Sequence, residues 1–202
     1  MTVDSREVNA YDQEAAQFAQ AFANQAASAI QISRLFTEMQ SLALTDPLTG
    51  TLNRRQFFEM AVQIVAKARN DKDTLSAIMI DVDNYKSVND TLGHLAGDHI
   101  LRIVADCFAT ELMPQDILAR VGGDEFTVLL PGQNREQAEN KAERLRSTLE
   151  STSIPIKNTF VTITASFGVA EIDPDRMDLD DMINRADQAL YQSKNAGRNT
   201  VS

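Results

Sequence analysis

The chain has 202 residues, 43% apolar and 24% charged, with 19 Lys and Arg against 29 Asp and Glu, a formal net charge of −10. That suffices for one ordinary domain with a core plus an appendage. The acidic balance argues against a nucleic-acid-binding face but admits a phosphorylated small ligand whose charge is offset by metal ions. No apolar run approaches the roughly 20 residues of a membrane span, and no signal-peptide pattern opens the chain. The single cysteine, Cys107, excludes a disulfide scaffold, so a reducing cytoplasm is expected.

Residues 12–44 carry one helical pattern without Pro or Gly. With Phe22 at heptad position a, Ala29, Phe36 and Ala43 repeat at a, while Phe18, Gln25, Ile32 and Met39 fall at d. This seam suits a coiled coil, and an ordinary amphipathic helix packed on its own domain fits the same spacing. Asp46-Pro47 stops the pattern, because proline drives its predecessor out of the α region. Asn53 opens a second helix, with Gln56 at the capping-box position and Phe57, Ala61, Ile64, Val65 and Ala68 as its apolar stripe.

Leu75–Val82 is a short apolar run bounded by charges, as expected of a buried central strand. After Gly97-Asp98, Ile100, Leu101, Val104, Cys107 and Phe108 recur at helix spacing. Asp116–Val121 and Glu125–Leu130 flank Gly122-Gly123 and are predicted to pair as a hairpin, the glycines supplying φ > 0 in its turn. Asn134 caps a further helix with Gln137 three residues on, and Ala138, Ala142, Leu145 and Leu149 line its apolar face. A hairpin and a strand follow, with Val161, Ile163 and Ala165 alternating. The last helix carries Leu179, Met182, Ile183, Ala186 and Leu190, ends near Asn195-Ala196-Gly197, and leaves a short final strand. This order predicts an α+β fold, an antiparallel-centred sheet with helices on its faces.

The chemistry concentrates where strands end. Asp81 closes the first strand and Asp124-Glu125 opens the third. If those strands are neighbours, their carboxylates converge and would bind Mg²⁺ through oxygen, leaving open positions for substrate phosphates. A single strand-end acid is ordinarily just solvated; adjacent acids behind a double glycine favour a site.

Five ordered blocks carry a specific resemblance: "DPLTGTLNRR", "DVDNYKSVNDTLGHLAGD", "RVGGDEF", "ASFGVA" and "ADQALYQSKNAGRN". Over roughly residues 43–202 the chain resembles the GGDEF domain family, the diguanylate cyclases, and "AFANQAASAIQISRLFTEM" resembles the last helix of GAF sensor domains. The resemblance implies a palm-like βαββαβ core of nucleotide-cyclase type, with a largely antiparallel central sheet and a long N-terminal helix before it. It divides the chain into a signalling, coiled-coil-like helix over 1–44, the remnant of a sensor otherwise absent from this chain, and a cyclase domain over 45–202.

The activity so implied joins two GTP into cyclic di-GMP with release of two pyrophosphates. It proceeds through attack of a 3′-hydroxyl on an α-phosphate, across a homodimer that meets through the N-terminal helix and the active-site faces. Two Mg²⁺ per site are implied, with Mn²⁺ as a substitute. Asp81, the main-chain carbonyl of Val82, Asp124 and Glu125 would ligate metal. Asp124 would also be the base, and Glu125 is as readily a structural acid. Gly122 and Gly123 would let the backbone approach the phosphates, and Lys86 would stabilise charge on them. Asn89 and Asp98 would read guanine, Asp98 favouring GTP over ATP; His94, between them, would contact nucleotide or serve only helix packing. Lys194 and Arg198 would grip the β and γ phosphates.

The family's Arg-x-x-Asp product site reads Met113-Pro114-Gln115-Asp116 here, so weak product inhibition is expected, Arg144 being the remaining candidate contact. Two other readings compete: a catalytically silent GTP- or cyclic di-GMP-binding module, and an enzyme making a mixed or adenine cyclic dinucleotide. The intact carboxylates count against the first, and Asp98 against the second.

Overall fold

The computed structural model describes residues 13–157, 159–173 and 178–202. Packing separates the chain into two units that meet between Ala43 and Leu44. The first is built on α1 (Gln13–Leu44), 32 residues long, rich in alanine and glutamine and so intrinsically helical. Phe18, Phe22, Ile30 and Ile32 are 56–73% exposed. Three of them, Phe18, Phe22 and Ile32, occupy the predicted a and d positions; the side chains of Phe36, Met39 and Ala43 lie outside what the structure describes.

In the second unit a five-stranded sheet runs in the order β1 (Leu52–Asn53), β3 (Ile117–Arg120), β4 (Glu125–Pro131), β2 (Leu75–Val82), β7 (Ala165–Glu171). All pairs are antiparallel except β1 with β3. The period of two sorts side chains between two cores. Ile78, Ile80 and Val82 of β2 and Phe126, Val128 and Leu130 of β4 face α4 (His94–Glu111) and α5 (Arg135–Ser151). Leu75 and Ala77 of β2 and Leu129 of β4 face α2 (Arg54–Asp71) and α6 (Leu179–Asn195). A β-carbon on Gly168 would collide with the backbone of Ala186 and Leu190, so glycine there lets α6 lie directly on β7.

The local signals act as expected. Asn53 accepts from the Gln56 N–H at 2.9 Å, and Asn134 with Gln137 completes a reciprocal capping box. Beside the main sheet, β5 (Ile154–Ile156) pairs with β6 (Thr159–Val161). Several details differ from the sequence reading: Leu52–Asn53 is a short strand before α2, and the expected alternation over Val161, Ile163 and Ala165 is broken, Ile163 lying between β6 and β7. The stretch before Ile100 holds a separate helix, α3 (Tyr85–Leu92), because Gly93 at φ 87° breaks the chain between it and α4. The final strand reduces to one parallel bridge between Phe167 and Val201. Among the described residues no helix is long and apolar enough to cross a membrane.

Candidate active site

The β2–β4 register sets Asp81 opposite Glu125, and the Val82 N–H donates to the Asp124 carbonyl at 3.1 Å. Asp81 lies on the α6 side of the sheet, where Lys194, in the last turn of α6, brings Nζ to 2.7 Å from Asp81 Oδ2. Burial pushes the Asp81 carboxyl above the usual range; Lys194 opposes this, and the charges of Asp124 and Glu125 add to it. Three acids thus crowd two strand ends, with one lysine in contact.

The turn between β3 and β4 departs from expectation. Neither Gly122 nor Gly123 takes positive φ. A β-carbon at Gly122 would strike the Glu125 carboxylate, whereas at Gly123 it would meet nothing within 4 Å. A side chain at 122 would therefore displace the Glu125 carboxylate from its position over the turn, and the surface at 123 is open.

Arg120 braces this turn. Its Nε and Nη2 donate to the Gly123 carbonyl at 3.2 and 2.6 Å, and its Nη1 donates to both Asp46 oxygens at 3.1 and 3.2 Å. Asp46 also accepts from the Thr49 N–H and hydroxyl at 2.9 and 2.8 Å. Burial alone would raise the Asp46 carboxyl, but the Thr49 and Arg120 hydrogen bonds outweigh it and hold the group below the usual range. The sequence reading took Asp46 only as a helix stop and passed over Arg120, although both stand inside the matched blocks.

The base-reading candidates gather between α3 and α4. A β-carbon at Gly97 would run into the Asn89 side-chain oxygen and the Tyr85 hydroxyl, so the glycine keeps this crevice open. Asn89 Oδ1 is buried without a hydrogen-bond partner, an acceptor held ready inside the site. Burial raises the Tyr85 phenol; a hydrogen bond from Asn89 opposes it, and the charges of Asp98, Arg120 and Asp124 all reach it. Tyr85 thus shares the crevice with Asn89 and Gly97.

Lys86 and Arg198 are exposed. His94 is set apart: it lines a groove of about 590 Å³ with Leu95, His99, Pro155, Ile156 and Lys157, which neither Asn89 nor Asp98 lines.

Two aspartates have roles that the sequence did not disclose. Asp83, 4% exposed, accepts from Thr164 Oγ1 and Ser166 Oγ at 2.7 Å each and from the Asn199 N–H at 3.1 Å. Asp116 is fully enclosed and pairs with Lys141, 2% exposed, while accepting from Gln133 Nε2 and the Met113 N–H.

The family model "Diguanylate cyclase, GGDEF domain" matches residues 43–200. The chain belongs to this family. It is 36% identical over 205 residues to diguanylate cyclase DgcP of Pseudomonas aeruginosa, covering 100% of this chain and 30% of that protein. To diguanylate cyclase A of Treponema denticola it is 36% identical over 183 residues, covering 89% and 48%. The chain thus spans less than half the length of these curated relatives. The crystal structure of the coiled coil and GGDEF domain of DgcB from Caulobacter crescentus, in complex with c-di-GMP, superposes with a TM-score of 0.81 at 30% identity, covering 92% of this chain and 98% of that one. The α+β architecture is thereby that of GGDEF domains.

Proposed function

We propose that this GGDEF domain is a diguanylate cyclase that condenses two GTP into cyclic di-GMP and releases two pyrophosphates. The observation that carries the reading is the β2–β4 register, which brings Asp81 together with Asp124 and Glu125 at one end of the central strands beside Lys194.

This end suits a hard divalent cation. Its acids repel one another, and Asp81 carries a carboxyl raised by burial. Among the described residues no three His, Cys, Asp or Glu side chains converge as a complete cage. Mg²⁺ fits such a partial set, since it binds through one or two carboxylates and keeps positions for water and phosphate. Asp81, Asp124 and the Val82 carbonyl would hold it, with Glu125 beside them, and when bound it supplies charge neutralisation on the phosphates.

The chain's own groups do the rest. Asp124 takes the 3′-hydroxyl proton as the bond from that oxygen to the α-phosphorus forms and the bond to pyrophosphate breaks. Lys86, Lys194 and Arg198 hold the leaving phosphates, and the open face of Gly123 admits them. Asn89 and Asp98 read guanine; a site built around such hydrogen bonds rejects bases lacking the matching groups. Each domain presents one GTP, so two must face each other for reaction, and the exposed Phe18, Phe22 and Ile32 of α1 suit pairing with a second copy. Enclosure of Asp116 by Lys141, with Met113 in place of arginine, supports weak product inhibition.

The test is product analysis by chromatography after incubation with GTP and Mg²⁺, with Asp124→Ala alongside. Cyclic di-GMP from the parent and none from the variant is expected. GTP binding without product at high protein concentration would overturn the enzymatic reading.

A further inference from the structure

Residues 197–199 form an unusual run of backbone. Gly197, Arg198 and Asn199 all take positive φ, at 113°, 67° and 47°. Glycine tolerates this and asparagine adapts to it, but arginine is disfavoured there and must be held. Among the described residues, Arg198 is held through its N–H, which donates to the Ser193 carbonyl at 3.1 Å, where α6 ends.

The holding contacts fall on the next residue. The Asn199 N–H donates to Asp83 Oδ2, its Oδ1 accepts from Arg146 Nη1 at 3.0 Å, and its Nδ2 donates to Glu150 Oε1 at 2.8 Å. Arg146 is fixed in turn by Glu143 and Glu150 along α5. Asp83 sits two residues beyond Asp81 on the same chain segment, and its other acceptor contacts tie it to Thr164 and Ser166 at the start of β7. One buried carboxylate therefore joins the strand bearing Asp81, the edge of β7 and the tail bearing Arg198.

We propose that Asp83 and Asn199 form a latch that sets the position of Arg198 relative to Asp81, making both positioning residues for the triphosphate end of the substrate. The second aspartate of "DVD" thus acts through the loop it holds. This inference rests on the phosphate role given to Arg198 under the proposed function.

The deciding variant is Asn199→Gly, which keeps access to left-handed backbone but drops the bonds to Arg146 and Glu150; Asp83→Asn is its companion, and Arg198→Ala the reference. Calorimetry with Mg²⁺ would compare a non-hydrolysable GTP analogue with GMP, which lacks the β and γ phosphates. The expected result is an analogue-to-GMP affinity ratio about tenfold lower in Asn199→Gly, the scale of one lost charge-assisted hydrogen bond. GMP binding alone should be unchanged. A purely structural role would lower the melting temperature and leave that ratio at the parent value, which would overturn the latch when Arg198→Ala lowers it. An unchanged ratio in Arg198→Ala itself would remove the phosphate role of Arg198, and the latch with it. Should Asp83→Asn not fold, Asn199→Gly decides alone.

Discussion

Two sets of acids divide this domain. Asp46, Asp83 and Asp116 each accept from donors that include distant segments: Arg120 beside the local Thr49, Thr164 with Ser166 and Asn199, and Lys141 with Gln133. Asp81, Asp124 and Glu125 instead gather at one end of the central strands, where a single lysine makes an ion pair. An acid satisfied by its own chain holds the fold together, whereas acids left short of cations have capacity for a ligand. The two sets should respond in opposite ways to removal.

The largest effect is expected at Asp116. Replacement by alanine strands the Lys141 charge, 2% exposed, in the interior and should cost about 3–5 kcal/mol of stability in urea denaturation. Asp124→Ala should keep its denaturation midpoint while losing product formation. Comparable destabilisation by both would erase the distinction.

Next comes Arg120→Ala, which unties the Gly122–Gly123 turn from Asp46 and should cost about 1.5–3 kcal/mol, the range for hydrogen bonds to charged groups. It also alters acid sensitivity. Because the Asp46 carboxyl lies below its unfolded value, its contribution is present at neutral pH and lost as pH falls through the lowered value. Melting curves of Arg120→Ala taken toward acid should lack only the smaller, Arg120 share of that decline, because the two Thr49 hydrogen bonds to Asp46 remain.

Asp81→Asn should act in the opposite direction. The raised Asp81 carboxyl makes the folded state bind more protons than the unfolded one between the ordinary and raised values. The parent accordingly loses stability as pH rises through that window. Without metal, the asparagine variant should therefore be as stable as the parent in acid and more stable, by about 1 kcal/mol, at neutral pH. A lower neutral melting temperature would place Asp81 among the structural acids.

Lys194→Met should raise the affinity for Mn²⁺ in the absence of nucleotide several-fold, because the lysine competes for Asp81; electron paramagnetic resonance of the free ion would read this. The smallest effect belongs to Glu59→Ala, which breaks the exposed pair with Arg55 and should leave the melting curve in place.

Much of the fold was legible because its signals are short-range. The caps at Asn53 and Asn134, the apolar run of Leu75–Val82 and the stripes of α2, α5 and α6 each depend on residues a few positions apart. Helix α3 and the first turn of α4 were missed because Tyr85–Leu92 is only 8 residues of mixed polar character, too short to show an apolar period, and the helix after it was expected only beyond Gly97-Asp98. The acids of the site were visible as residue types in matched blocks, but their mutual contact was not. Asp83 and Asp116 were unreadable as clamps for the same reason: their partners lie 116 and 25 residues away, at Asn199 and Lys141.

By itself, then, the sequence determined most of the longer helices and strands, the family, and the stock of acids and cations carried by Asp81, Asp124 and Lys194. Only the tertiary structure decided which acids are consumed by the fold and which remain short of positive charge, that Gly122 leaves room for the Glu125 carboxylate, and what holds the backbone of Arg198. Periodicity and capping act within a turn or two of chain. The satisfaction of a buried charge depends on where segments far apart in sequence meet, and that is fixed only when the sheet closes and α5, α6 and the tail pack on it.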